Sequence, residues 1–255
     1  MMSALAVSIA PEAVQSEVLR ERVQVLESRP GVRQVLLVTE ARRSLTNDHD
    51  QHAVIVLGGG GGGFAVTTQD GLPRVHGGLP LSQRQRLANA IGGFVVALSP
   101  PTDRPVMDRA WRFSDDHVAD LQIAVDWTRR EWPRASTWVL GLNHGALSAA
   151  VATASIDDLA GAVLLSCVDE ALEQPQKSEH MRVLAIRHRT GACESYVSPA
   201  PGRKTVVTVL DERQMHQEVD HGDATSASQF NGKEHQVVDV VAGWILTGAA
   251  PDEIR

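Results

Sequence analysis

Short unbroken apolar runs recur along the chain, and most of the stretches between them carry apolar positions at helical spacing. Such runs suit strands buried on both faces, and the spacing between them suits covering helices. The first polar–apolar segment, "RVQVLESRPGVRQVLLVTEA", reads as a hairpin turned at Arg29-Pro30-Gly31. "HAVIVLGG" reads as a buried strand ending in glycines. "LSQRQRLANAIGG" reads as a helix capped by Ser82 and stopped by Gly92 and Gly93, and "FVVALSPP" as the next buried strand. Residues 114–131 form the clearest helix, with Ser114 as N-cap, Asp115 and Asp116 in the first turn and a basic last turn before Pro133. A strand over residues 137–141, a second helix, the strands "GAVLLSC", "RVLAIRH" and "KTVVTVL", and a closing helix "GKEHQVVDVVAGWIL" complete the order. The pattern predicts an α/β protein, a mostly parallel central sheet with helices on both faces. It divides into an N-terminal extension at residues 1–19, one domain over 20–248 and a C-terminal tail at 249–255.

One junction is sharper than the rest. In "TWVLGLNHGALSAAVATAS" an apolar strand runs into Gly141-Leu142-Asn143-His144-Gly145 and straight into an alanine-rich helix. That is the outline of a nucleophile elbow, a strand–turn–helix that lifts one side chain above the sheet end and needs small flanking residues. Gly141 and Gly145 supply the flanks, but the apex is Asn143, a neutral amide that no base can activate near neutral pH.

The glycine run from Gly58 to Gly63 satisfies a dinucleotide pattern trivially. No helix signal follows it, and no Gly-Lys-Ser/Thr is present, so a phosphate cradle has little support. Two readings remain: a loop that lets backbones pass closely, or N–H groups of Gly59, Gly60 and Gly61 set opposite the elbow as half of an oxyanion site.

Composition removes several classes. In 255 residues, 43% hydrophobic content suffices for a sizeable core. A formal net charge of -7 without a Lys/Arg block argues against nucleic acid. The two cysteines, Cys167 and Cys193, build neither a disulfide framework nor a zinc site, which fits a reducing compartment. No membrane span and no secretory leader is legible, so a cytoplasmic protein with no membrane partner, no metal and no cofactor is expected. A homodimer is compatible with all of this.

The order of parts resembles the α/β-hydrolase superfamily across residues 20–248. Within it, "PPTDRP", "RFSDDHVADL", the elbow, "RHRTGACESY" and "FNGKE" are similar to a bacterial branch of uncharacterised hydrolase-like proteins. The resemblance implies a triad of Ser, acid and His. At its nucleophile position stands Asn143; the acid position falls among Thr190, Gly191 and Ala192, before Cys193; and the histidine position falls on Ser228. Substitution at all three implies that Ser-His-Asp hydrolysis is gone.

What survives is the pocket. The N–H of His144 would stand at a helix N-terminus, which favours a carbonyl oxygen or an anion. The same helix end favours a neutral His144 imidazole, either a proton carrier or a structural hydrogen bonder. Asp103 follows a strand end, where it contacts a ligand or pairs with Arg104 to fix the loop. Asp116 and His117 read as capping residues first and catalytic ones second. His221, more than His216 or His235, is the candidate for a displaced base, and Ser228 joins the ligand-facing set; Cys193 reads as an inert thiol. Three functions follow. The first is a pseudo-hydrolase that binds a small organic ligand or a protein partner at the elbow. The second is a lyase, isomerase or cyclase acting on a carbonyl compound with Asn143 and His144. The third is ester hydrolysis by an activated water.

Overall fold

The computed structural model describes residues 20–41, 51–60, 65–69, 72–76, 81–166, 180–188, 203–210, 230 and 232–255. The first described element is the expected hairpin, β1 (Arg20–Arg29) against β2 (Val32–Glu40), antiparallel and turned through Gly31 at φ 73°. The buried strands follow as β3 (His52–Leu57), β6 (Phe94–Leu98), β7 (Ser136–Leu142), β8 (Gly161–Leu165), β9 (Arg182–His188) and β10 (Arg203–Val209). A separate two-stranded hairpin, β4 (Ala65–Gln69) with β5 (Leu72–His76), comes after the glycine run, where no helix signal stands in the sequence.

Among the described residues nine strands form one sheet in the order β1-β2-β6-β3-β7-β8-β9-β10-β11, where β11 is Glu253–Ile254. From β6 to β11 all pairings are parallel; β2 joins β6 antiparallel. The segment expected to be a tail thus returns to the sheet. Its backbone pairs with Thr208 and Val209, and Ile254 is buried in the core.

Helices cover both faces. On one side α1 (Arg84–Ile91) and α4 (Glu234–Thr247) pack Leu87, Ile91, Val237 and Trp244 against Val54, Val56 and Trp138. On the other, α2 (Asp115–Glu131) and α3 (His144–Ser155) pack Leu121, Ala124, Leu147 and Ala150 against Ile55, Val96 and Val139. Alternate residues of the central strands β3, β6, β7 and β8 feed the two cores, so these strands carry no polar face and read as largely apolar runs. Ser82 does not cap α1. A short 3-10 turn over Leu81–Gln83 precedes that helix, and Gln83 occupies the cap position without a side-chain bond. Gly92 ends α1 in the left-handed conformation, φ 59°, as expected. Ser114 does cap α2, its hydroxyl accepting the N–H of His117 at 3.2 Å.

Candidate functional site

Strand β7 passes into α3 through the single residue Asn143, at φ 52° and ψ -121°. This is the mirror image of ordinary extended backbone, open to glycine and strained for a residue with a Cβ. Neighbouring bonds hold it there: the Asn143 N–H donates to Leu165 O on β8 at 2.8 Å, and Asn143 O accepts from Ala146 N–H at 2.8 Å. The turn is as tight as its flanking glycines suggested. A Cβ on Gly141 would stand 2.0 Å from Gly145 O, and one on Gly145 would stand 2.3 Å from Leu57 O and 2.8 Å from Gly58 O.

Those last contacts bring the glycine loop after β3 over the start of α3. A Cβ on Gly59 would lie 2.7 Å from Leu142 O and 3.6 Å from the Asn143 Cβ. Gly58 and Gly59 therefore border the elbow, and the next described element after the loop is strand β4, not the helix that a dinucleotide cradle requires. Asn143 and His144 are both half-buried at the apex. The Asn143 side chain makes no cap bond to α3, and the first turn of that helix holds no acidic residue. Gly61, His221 and Ser228 lie outside the described residues, as do His216, Thr190, Gly191 and Cys193.

Asp103 sits elsewhere in the same end of the sheet. It pairs with Arg29 at 3.0 Å rather than with Arg104, whose guanidinium packs over the Trp111 ring at 5.0 Å. Arg29 also takes Asp116 at 3.3 Å and the two oxygens of Asp120 at 2.9 and 3.1 Å, and lies 5.3 Å from the Trp111 ring. Asp116 is thus an ion-pair partner at the start of α2.

The sequence reading missed what stands behind the loop. Arg112, in a 3-10 turn over Trp111–Phe113, is fully buried. Its Nη1 donates to Ser148 Oγ at 2.6 Å, and its Nη2 donates to Gly58 O at 3.2 Å and Gly60 O at 2.9 Å. His117, expected first as a capping residue, turns its ring inward and shares a 2.9 Å hydrogen bond between Nε2 and Ser148 Oγ. Burial, and after it the Arg112 charge, push His117 down to about 3, so its ring is neutral near pH 7. Burial also lowers Arg112, to about 10, which leaves it a cation. Ser148 and His117 have the spacing of a nucleophile and its base. They cannot act as one on a bound ligand, because Oγ is wholly enclosed and already holds the Arg112 donor. A signal for His117 existed in the sequence: it falls in helical register with buried Leu121, Ala124 and Thr128.

Among the described residues no group of three His, Cys, Asp or Glu could hold a metal ion, and no helix is long and apolar enough to cross a membrane. No family model and no curated protein matches the sequence. Solved structures do match. The acylaminoacyl peptidase of Pyrococcus horikoshii superposes with a TM-score of 0.59 at 11% identity, over 89% of this chain and 42% of the peptidase. A Rhizomucor miehei esterase gives 0.57 at 15% identity, over 93% and 85% of the two chains. The dienelactone hydrolase of Anabaena variabilis gives 0.56 at 13% identity, over 89% and 97%. This chain has the α/β-hydrolase fold. It spans less than half the length of the peptidase, and at these identities the likeness is one of fold.

Proposed function

We propose that the protein is a non-hydrolytic α/β-hydrolase-fold protein that binds a small organic ligand at the elbow. The observation that carries this reading is Asn143 itself: the strained apex conformation is kept, while the side chain there is an amide. Strain at a single residue persists where the surrounding structure over-determines it, and it gathers at functional sites. The half-buried amide offers both a donor and an acceptor to a ligand, next to an α3 N-terminus whose own first turn holds no acidic residue. Substitution at the acid and histidine positions, inferred from the sequence resemblance, supports the loss of triad chemistry. A net charge of -7 supports a ligand other than nucleic acid, and the cysteine content supports a cytoplasmic site of action.

Two measurements test the reading. Against a panel of activated esters the protein gives background rates. In a thermal-shift screen of small carbonyl and carboxylate compounds it is stabilised by at least one, and Asn143→Ala abolishes that shift. Ester turnover that Asn143→Ala removes would overturn the proposal.

The position of His144, a half-buried residue next to the apex, favours one second reading, a lyase, isomerase or cyclase acting on a carbonyl compound with His144 moving the proton. Here His144→Ala abolishes turnover of a screened compound while its thermal shift is kept. Under the binding reading no turnover exists to lose.

A further inference from the structure

Arg112 is wholly enclosed, yet among the described residues no carboxylate reaches it at hydrogen-bonding distance. Its partners are two backbone carbonyls and a hydroxyl, its Nε has none, and Asp108 acts on it only through space. Burying a cation against neutral acceptors is costly. A tie between α3 and the glycine loop alone could be made by an amide. What the guanidinium adds is a rigid fork that reaches three acceptors at once, and a charge.

The fork fixes an orientation. In a trans peptide the C=O and the following N–H point in opposite directions. With Gly58 O held by Nη2, the Gly59 N–H is turned away from Arg112, and Gly59 is the residue packed against Leu142 and Asn143. The turn that carries Arg112 is itself braced, since the ring of its neighbour Trp111 packs with the guanidinium groups of both Arg29 and Arg104.

We propose that Arg112 is the positioning residue of the elbow pocket, clamping the carbonyl edge of the Gly58–Gly60 loop so that the Gly59 N–H meets a negatively charged ligand oxygen above Asn143. The ligand class is therefore a carboxylate or an enolate-like oxyanion. This inference rests on the reading that the elbow keeps a ligand pocket.

A thiol at the apex reports on both. In a background carrying Cys167→Ala and Cys193→Ala, Asn143→Cys is alkylated with iodoacetamide across a pH series, and the midpoint of the rate profile measures how well the pocket holds a thiolate. His144, the ionisable neighbour on α3, is common to every variant, so differences between variants isolate Arg112. The parent midpoint is expected below the ordinary value of about 8.5. Adding Arg112→Gln, with folding checked by circular dichroism, raises it by about one pH unit or more. Adding Arg112→Lys, which keeps the charge but cannot span both carbonyls and the hydroxyl, leaves most of that rise in place. If Arg112→Gln does not fold, Arg112→Lys alone decides: a raised midpoint supports the clamp and an unchanged one overturns it. A low midpoint that a folded Arg112→Gln leaves unchanged, or that Arg112→Lys fully restores, overturns the clamp and leaves the pocket standing. An ordinary midpoint in the parent overturns the pocket itself.

Discussion

His117 Nε2 lies 2.9 Å from Ser148 Oγ, with 2% of the histidine and none of the serine exposed. The neutral ring makes this contact sensitive to acid. The folded pKa is pushed from 6.5 down to about 3, so between those values the unfolded chain binds a proton that the folded one refuses. Stability present above about pH 6.5 is therefore lost as the pH falls towards about 3, at up to about 1.4 kcal/mol per pH unit. His117→Gln keeps a partner for Ser148 and removes the titration. Urea midpoints taken from about pH 7 to about pH 4 should fall less steeply for this variant than for the parent; equal slopes would place the acid sensitivity elsewhere.

The glycines of the site divide by what surrounds them. At Gly141 and Gly145 an added Cβ meets backbone carbonyl atoms at 2.0 and 2.3 Å, and backbone cannot step aside as a side chain can. Alanine at either position is expected to destabilise by about 3 kcal/mol or more, or to open the elbow. At Gly92 nothing lies within 4 Å and only the positive φ of 59° penalises a side chain. Gly92→Ala should cost about 1 kcal/mol. Denaturant unfolding of the three variants checks the ranking, and a Gly92 variant as damaged as the other two would refute it.

The strands, the hairpin turn and the elbow were legible because each is decided locally. An unbroken apolar run such as Val54–Leu57 can go only inside, and glycines such as Gly141 and Gly145 mark where no Cβ fits. Arg112 was not legible, and for His117 only the buried helix face was, not its partner. Their stretch is polar, and each is buried by partners far away in the chain: Ser148 lies 36 residues from Arg112 and 31 from His117, and Gly60 lies 52 from Arg112. The expected pairing of Asp103 with Arg104 failed for a similar reason. Arg29, 74 residues away on the first hairpin, reaches Asp103, and an aromatic face takes Arg104.

Arg29 carries a prediction of its own. Asp120 has no exposed side-chain area, and Arg29 holds both of its oxygens. Arg29→Met strands that carboxylate in the interior and should cost about 3 to 5 kcal/mol. Asp120→Asn is expected to recover part of the loss in the double variant, because the stranded group is then neutral. Urea unfolding of the two single variants and the double gives the coupling directly, and additive losses would show that the pair does not act as one.

Asn143 sits where glycine would rest without strain. Its φ of 52° and ψ of -121° should cost an asparagine about 1 to 3 kcal/mol. Glycine would relieve that strain while giving up about 0.5 to 1 kcal/mol to the greater freedom of its unfolded chain. Asn143→Gly is therefore expected to be more stable than the parent by about 1 kcal/mol, and to lose the thermal shift with a ligand that the amide contacts. Stability gained together with binding lost is the mark of a residue kept for its side chain. If Asn143→Gly were instead less stable, the amide would be holding the turn together, and the elbow would owe its asparagine to the fold.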